Sequence, residues 1–199
     1  MTHSIALFPL STVLYPGGVL GLRIFEPRYL DMVRDCMRHD REFGVCAVLP
    51  DAEREGAVGA AAIGTAARIV DFYTLPDGLL GIKTIGGLRF HVDKAHVRHD
   101  GLLMGEVAFW PAEAAQSVPP EYALLATLAD HLIEKLGEAL PAPNKGDLDN
   151  ASWVGFRLAE ALPFTLQEKQ SLLEVRDPLQ RLQRIVDALP RFRSEAEQH

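Results

Sequence analysis

The run Ile24-Phe25-Glu26-Pro27-Arg28-Tyr29 marks the place where a strand gives way to a helix. The residues before it, Val19–Ile24, follow the turn sequence Tyr15-Pro16-Gly17-Gly18 and predict a strand. Proline suits the first position of a helix because its missing N–H is one that the helix leaves without a partner. The apolar residues that follow recur at helical spacing: Leu30, Val33 and Met37. The run therefore predicts a helix that begins at Pro27, with Glu26 as its cap.

Five more stretches around this helix carry the short apolar runs that are typical of strands. They are Ile5–Leu10, Phe43–Leu49, Ile63–Leu75, Leu79–Val92 and Leu103–Trp110. The turn Pro76-Asp77-Gly78 separates the third from the fourth, because proline presets its own φ and glycine tolerates a positive one. The pair Gly86-Gly87 predicts a bulge. Six strands with one inserted helix indicate a small, partly closed β-barrel.

The second half of the chain is typical of successive helices. They are predicted from Pro119-Pro120-Glu121 to Gly137, over Asn150–Leu162, from the capping box Thr165-Leu166-Gln167-Glu168, and from Asp177-Pro178. The proline-rich stretch Pro111–Pro120 joins the two halves. The predicted fold is of the α+β class, with a β-rich subdomain over residues 1–112 and a four-helix bundle over residues 118–199.

Apolar residues at helical spacing predict which faces of these helices are buried. For the first helix of the bundle they are Leu124, Leu125, Leu128 and Leu132. For the last helix they are Leu179, Leu182, Ile185, Val186 and Leu189. We also expect Trp153 to anchor the core of the bundle, because it lies on a helix whose other apolar residues are Val154, Leu158 and Leu162.

Composition is typical of a soluble globular protein, because 48% of the 199 residues are hydrophobic and 24% are charged. The formal net charge of −7 disfavours a general nucleic-acid or anionic-membrane binder, since an acidic surface repels phosphate groups. The sequence shows no signal peptide and no apolar run that would span a membrane, so we expect a cytoplasmic protein. Cys36 and Cys46 stand among apolar residues, which predicts buried thiols rather than disulfides or zinc ligands.

Several of these segments together resemble the LON substrate-binding domain, the N-terminal domain of Lon proteases, which also occurs as a stand-alone bacterial protein. The most specific piece is Phe25–Tyr29, supported by Phe8-Pro9-Leu10 and the turn at Tyr15–Gly18. The similarity continues through Asp40–Gly44, Ile63–Ile69, Gly87–Phe90, Trp153-Val154, Arg157–Glu160, Leu162-Pro163, Lys169-Gln170, Leu173-Glu174 and Asp177-Pro178. It covers nearly the whole chain.

The resemblance implies a PUA-like six-stranded β pseudo-barrel followed by a helical bundle, used to recognise protein substrates. In complete Lon enzymes a motor domain and a protease domain follow in the same chain. The phosphate-binding motif G-x-x-x-x-G-K-[ST] is absent from this sequence, since Lys145-Gly146 has the two residues in reverse order. We therefore expect a non-enzymatic module without ATPase or protease activity, without catalytic residues, and without a cofactor or metal.

Candidate peptide-binding residues cluster at the strand-to-helix joint. They are Phe25, Glu26, Arg28 and Tyr29, together with Trp110. These side chains could present a charged and aromatic edge to a bound peptide. The structural alternative is that Glu26 caps the helix, Arg28 pairs with a carboxylate and Tyr29 packs on the barrel.

A cleft between the two subdomains is a second place for a ligand, because such clefts often bind one. Its candidate lining consists of aromatic residues: Phe25, Tyr29, Phe72, Tyr73, Trp110 and Trp153. Core packing is the alternative role for these side chains, since large aromatics bury the most area.

Charged residues within strand patterns have two interpretations as well. Arg68 and Arg89 could form internal ion pairs with Glu26, Asp31 or Glu42, or they could contact a peptide carboxylate. The polar corner that contains His91, His96 and His99 with Asp93 and Asp100 has a spacing that would suit a metal only on a helix. Because the local pattern is strand and turn, we expect these side chains to be solvated.

The sequence therefore favours a protein- or peptide-recognition module over two other classes. It would bind unfolded or tagged protein segments, with a protease or a chaperone as a further partner, through an apolar cleft or by strand addition. The alternative is an RNA-binding PUA-like protein, which needs a basic face that the net charge of −7 disfavours. A small-molecule hydrolase would need a nucleophile and a base that converge, and the sequence shows no such pair.

Overall fold

The computed structural model describes residues 2–48 and 60–196, and this part of the chain contains six strands and five α-helices. The chain divides into two compact units, Met1–Ala112 and Glu113–His199. Strands dominate the first unit and helices the second, so the fold is of the α+β class.

The β-rich unit contains the six predicted strands. They are β1 (His3–Leu10), β2 (Val19–Ile24), β3 (Phe43–Ala47), β4 (Ile63–Thr74), β5 (Leu80–Val97) and β6 (Leu103–Phe109). The strand β5 is longer than predicted because its last residues pair with β6, where Val97 lies opposite Leu103. The last residue of the predicted strand Phe43–Leu49 lies outside the described residues.

The six strands form one sheet in the order β2-β5-β4-β3-β1-β6. An additional pairing of β5 with β6 closes five of them into a ring, and β2 pairs with β5 beside it. The pair β1–β3 is parallel, and the other pairs are antiparallel. The predicted bulge is confirmed, because the register of β4 and β5 shifts between Thr65, opposite Arg89, and Ala67, opposite Gly86. Only glycine fits at Gly86, where a Cβ would lie 2.1 Å from the carbonyl oxygen of Tyr15.

The inserted helix α1 spans Pro27–His39, with proline in its first turn as predicted. Its buried residues are Tyr29, Met32, Val33 and Cys36. The predicted stripe was partly wrong, because Leu30 is only partly buried and Met37 is 50% exposed. The predicted cap is correct in position, because Glu26 is the N-cap residue, but its side chain makes no capping hydrogen bond.

The helical unit contains four α-helices in the described residues: α2 (Ala123–Leu136), α3 (Ala151–Ala161), α4 (Leu166–Glu174) and α5 (Pro178–Ala196). The helix α3 is central, since it contacts α2, α4 and α5. Asn150 caps α3 by accepting hydrogen bonds from the backbone N–H groups of Ser152 and Trp153. The predicted capping box of Thr165 and Glu168 is confirmed at the start of α4.

The buried faces of this unit match the prediction for α5, where Leu182 and Ile185 are buried and Leu179, Val186 and Leu189 are partly buried, but only in part for α2. In α2 the buried residues are Leu125, Ala129 and Ile133, whereas Leu124 is 83% exposed. Trp153 is only partly buried, so the prediction that it anchors the core was wrong. The large apolar side chains that α3 buries include Phe156 and Leu158, about one turn further on.

A buried arginine lies at the centre of the helical unit. The side chain of Arg181 is wholly buried and donates hydrogen bonds to the carbonyl oxygens of Leu172, at 3.1 Å, and Val175, at 2.5 Å. Its guanidinium also forms a two-pronged ion pair with Glu113 and lies 3.8 Å from the ring centroid of Phe156. This network joins the beginning of the unit to its last helix.

Candidate functional site

A surface depression of about 460 Å³ lies where α1 begins. Its lining comes from the ends of β1 and β5, the start of β6 and the first residues of α1: Phe8, Pro9, Glu26, Arg28, Tyr29, Val97, Gly101 and Leu103. Three of the five predicted peptide-binding residues thus line one depression. Val97 is 56% exposed and offers apolar surface at this place.

Arg28 holds the turn between β5 and β6 against the start of α1. Its guanidinium donates a hydrogen bond to the carbonyl oxygen of Gly101 at 2.9 Å and pairs with Glu26 at 2.6 Å. Gly101 has a φ of +84°, a conformation that glycine adopts without strain. The structural alternative for Arg28 is therefore present in the fold, and Glu26 is the carboxylate that meets it.

Tyr29 forms the apolar wall of the depression. Its ring stacks on Phe8, with centroids 4.0 Å apart and planes inclined by 13°, and only 9% of the residue is exposed. The guanidinium of Arg28 lies 4.9 Å from the same ring. Burial raises the pKa of the Tyr29 hydroxyl above its usual value, an effect that Arg28 opposes and Glu26 reinforces. A ligand could touch the edge of this ring but would not displace it.

Phe25 and Trp110, the other two predicted residues, do not line this depression. Phe25 follows β2 and is 62% exposed, so it presents an aromatic surface to solvent. Trp110 is partly buried, with the guanidinium of Arg89 lying 5.0 Å from its ring centroid. Its backbone N–H donates to the carbonyl oxygen of Arg89 at 2.8 Å.

The remaining candidates divide between buried and exposed positions. Arg89 is buried, whereas Arg68 on β4 is exposed, so the expectation of a charge held on an apolar face was wrong for Arg68. Phe72 and Tyr73, also on β4, are each 42% exposed. Tyr73 covers the β5 backbone, since a Cβ on Gly81 would lie 2.2 Å from its ring.

In the polar corner, Nδ1 of His91 lies 3.1 Å from a carboxylate oxygen of Asp93. The described residues contain no group of three or more His, Cys, Asp or Glu side chains placed to hold a metal ion. The same residues contain no helix with the length and apolar character needed to cross a membrane.

The family of this chain follows from a comparison of its sequence with known protein families. The family model for the ATP-dependent protease La (LON) substrate-binding domain matches residues 4–191. This chain belongs to the LON substrate-binding domain family. The match covers both the β-rich and the helical unit, which agrees with the resemblance carried by Phe25–Tyr29 and the helical segments.

Solved structures share the fold of this LON domain. A Lon N-terminal domain protein from Xanthomonas campestris is 40% identical, with a TM-score of 0.78 over 94% of this chain and 98% of that one. The N-terminal domain of a Lon protease from the Mycobacterium avium complex has a TM-score of 0.65 at 16% identity, over 93% of this chain.

Complete Lon proteases are among the relatives of this LON domain. Lon protease 1 of Bacillus subtilis is 25% identical over 194 residues, which are 94% of this chain and 25% of that protein. Protein cereblon of Gallus gallus is 32% identical over 105 residues, or 53% of this chain and 23% of that protein. The chain thus spans about a quarter of the length of these relatives.

Proposed function

We propose that this LON domain is a non-enzymatic recognition module that binds unfolded or tagged segments of other proteins. The observation that carries the proposal is the match of a substrate-binding family over residues 4–191. A protease or a chaperone is the further partner that we propose, because the Lon relatives named above are proteases. The closed sheet supports a PUA-like barrel, and the central position of α3 supports a four-helix bundle.

We place the contact with unfolded protein on apolar surface at the strand-to-helix joint. The predicted set is Phe25, Glu26, Arg28, Tyr29 and Trp110, and the exposed ring of Phe25 carries most of the contact in this proposal. Glu26 and Arg28 orient the joint through their ion pair, and Tyr29 supplies the wall of the adjacent depression. Unfolded segments differ from folded surfaces mainly in their exposed apolar side chains, so an exposed aromatic ring is suited to recognise them.

The binding experiment is a titration of fluorescently labelled, permanently unfolded casein at low and high salt. We expect a dissociation constant in the micromolar range, which corresponds to a binding free energy of about −8 kcal/mol. High salt should leave the affinity nearly unchanged, because salt screens Coulomb attraction beyond about 10 Å and an apolar contact does not depend on that attraction. Phe25→Ala should weaken binding several-fold, whereas Met37→Ala, which removes an apolar side chain of α1 that is 50% exposed, should not. Binding that collapses in salt, or that ignores Phe25→Ala, contradicts an apolar contact at this joint.

We further propose that the chain has neither ATPase nor protease activity. Reproducible ATP turnover or casein cleavage by purified protein would contradict this proposal. The RNA-binding alternative is tested in the same titration with labelled single-stranded RNA, for which the net charge of −7 predicts no binding at physiological salt.

A cytoplasmic location completes the proposal. Its support is the pair of free, buried cysteines, because disulfides are rare in the reducing cytoplasm. Burial raises the pKa of the Cys46 thiol to about 12, which keeps it protonated and unreactive. Fractionation of the native host's cells, with detection of the protein by antibody, tests the location.

A further inference from the structure

A second cavity of about 460 Å³ borders the N-terminal half of β1, and we refer to it as the β1 groove. One wall consists of four consecutive residues, His3–Ala6. Successive residues of a strand point to opposite faces of the sheet, so four in a row line a groove only where the strand presents its edge. The floor is apolar and is formed by Met32, Cys36 and Leu102, all of them buried.

The edge of β1 is open along this wall. The strand pairs with β6 from His3 to Leu7, but its pairing with β3 begins only at Leu7, opposite Gly44. Alternate residues of a strand direct their N–H and C=O groups to opposite sides. Two of the four residues His3–Ala6 therefore direct these groups away from β6, and no strand in the described part of the chain pairs with them there. An extended peptide of about four residues, or about 13 Å, matches this edge.

The geometry favours the end of a chain over its middle. A strand added beside His3–Ala6 lies in line with β3, which takes the same side of β1 from Leu7 onward. The added strand therefore meets Phe43, the first residue of β3, and cannot continue along β1. A polypeptide that ends at this point fits without a turn.

Arg41 supplies a positive charge at the end of the groove where an added strand would meet β3. It lines the groove and stands two residues before the first residue of β3. Its guanidinium is exposed and makes no hydrogen bond or ion pair within the described residues. Burial and the neighbouring Asp35 raise the pKa of the Cys36 thiol to about 11, and the charge of Arg41 opposes them, so that charge is close to the groove floor. An unpaired guanidinium is complementary to a carboxylate.

The other charged residues of the groove lie near a partner of opposite charge or extend away from the groove. Nε of Arg98 donates to Asp100 at 2.9 Å, and Asp35 lies 3.6 Å from His39. A carboxylate oxygen of Glu42 lies 3.2 Å from the position that a Cβ on Gly87 would take, so this side chain extends toward β5. Arg41 is thus the charged group that remains for a ligand in the groove.

We propose that the β1 groove binds the carboxyl-terminal residues of an extended polypeptide. The peptide adds to the open edge of β1 as a parallel strand, its last apolar side chain rests on Met32 and Leu102, and its terminal carboxylate pairs with Arg41. This inference rests on the proposed recognition of unfolded protein but concerns a separate surface from the strand-to-helix joint.

The test uses fluorescence anisotropy with a short unstructured peptide that ends in two leucines, in a free-acid form and a carboxamide form. The amide should bind about tenfold or more weakly than the acid, as expected for loss of a charged hydrogen bond. Arg41→Gln should reduce binding of the acid to the level of the amide and leave binding of the amide unchanged. Arg38→Gln, which alters an exposed arginine of α1 outside the groove, should leave both affinities as they are.

Two N-methylated forms of the acid peptide, methylated at alternate amides, test the strand addition. One form should lose binding and the other keep it, because only one set of amides faces β1. Equal affinity of acid and amide, equal effects of Arg41→Gln and Arg38→Gln, or equal effects of the two methylation patterns would each overturn the inference.

Casein, titrated in parallel, separates the two proposals. If casein binds through Phe25 while the acid and amide peptides bind equally, the β1 groove is refuted and the recognition function stands. If neither casein nor the peptides bind, the recognition function itself falls.

Discussion

The β-rich unit is held together by apolar side chains, whereas the helical unit is organised around buried arginine. Among the most buried residues of the first unit are Phe43, Phe90 and Ile82, each at 0% exposure. In the second unit Arg181 is at 0% and Arg157 at 1%. The one strongly buried arginine in the described part of the first unit, Arg89, packs on Trp110.

This difference shows what a pattern of apolar residues can predict about a core and what it cannot. In a sheet, a buried face is filled by alternating apolar residues, so the pattern identifies both the strand and its core. In the helical unit, the apolar pattern located the helices but not the side chain that connects them. The buried guanidinium of Arg181 is stable there because it donates four hydrogen bonds, to the carbonyl oxygens of Leu172 and Val175 and to both carboxylate oxygens of Glu113. Glu113 also supplies the compensating charge.

The largest effect is expected when the partner of the buried arginine is removed. Glu113→Ala should destabilise the helical unit by about 3–5 kcal/mol, because it leaves the Arg181 charge buried without its carboxylate. The double variant Glu113→Leu with Arg181→Leu should recover much of that loss. Urea unfolding followed by circular dichroism measures both; a single variant as stable as wild type would refute the central role of the pair.

A loss of similar size is expected in the β-rich unit from an apolar residue alone. Phe90→Ala should cost about 3–5 kcal/mol through lost transfer energy and the cavity that remains. Gly44 and Gly64 border this ring so closely that a Cβ on either would lie within 2.7 Å of it, so the site has little room to relax. The neighbouring Leu88→Ala, at a residue 43% exposed, is the control and should change stability little.

Trp153 provides an intermediate case. Because its ring is only partly buried, Trp153→Ala should cost about 1–2 kcal/mol, less than a core aromatic would. Phe156→Ala, one turn away, should cost more, since that ring is buried beneath the guanidinium of Arg181. Thermal and urea unfolding of the two variants give the order, and a Trp153 variant that is the less stable of the two would contradict it.

A smaller effect is expected at the capping box of α4. Thr165→Ala should cost about 1 kcal/mol, because it leaves the backbone N–H of Glu168 without its side-chain acceptor. Thr127→Ala on α2, where the hydroxyl makes only a 3.4 Å bond within its own helix, is the matched control. The two substitutions should differ in urea midpoint, and equal midpoints would show that the box adds no stability.

The smallest effect concerns an exposed ion pair and its pH dependence. The Arg191 guanidinium, with help from Thr165, lowers the pKa of Glu168 to about 2. A depressed carboxyl pKa stabilises the fold above the ordinary value near 4.5, and the contribution disappears as the pH falls toward 2. Glu168→Gln should therefore cost below about 1 kcal/mol at pH 7, and the cost should shrink as the pH falls from the ordinary pKa through about 2. Urea unfolding at several pH values checks the trend; a cost that grows on acidification contradicts it.

The elements were predictable because their signals are local. The strand-to-helix joint at Pro27, the bulge at Gly86-Gly87 and the capping box at Thr165 each follow from the conformational limits of a few adjacent residues. The candidate site was only partly predictable. The residues Glu26, Arg28 and Tyr29 were found from their place in the run, but their partners Gly101 and Phe8 lie far along the chain.

The strands, the helices, their order and the family can be read from the amino-acid sequence, since these depend on local conformational preference and on residues in fixed succession. The fold was needed to show which residues of α1 and α2 are buried, that Arg181 pairs with Glu113, and that β3 begins too late to cover His3–Ala6. The physical reason is that burial, ion pairing and strand register are set by contacts between residues distant in sequence. Local sequence does not fix those contacts. They form when the sheet closes and the helices pack against one another.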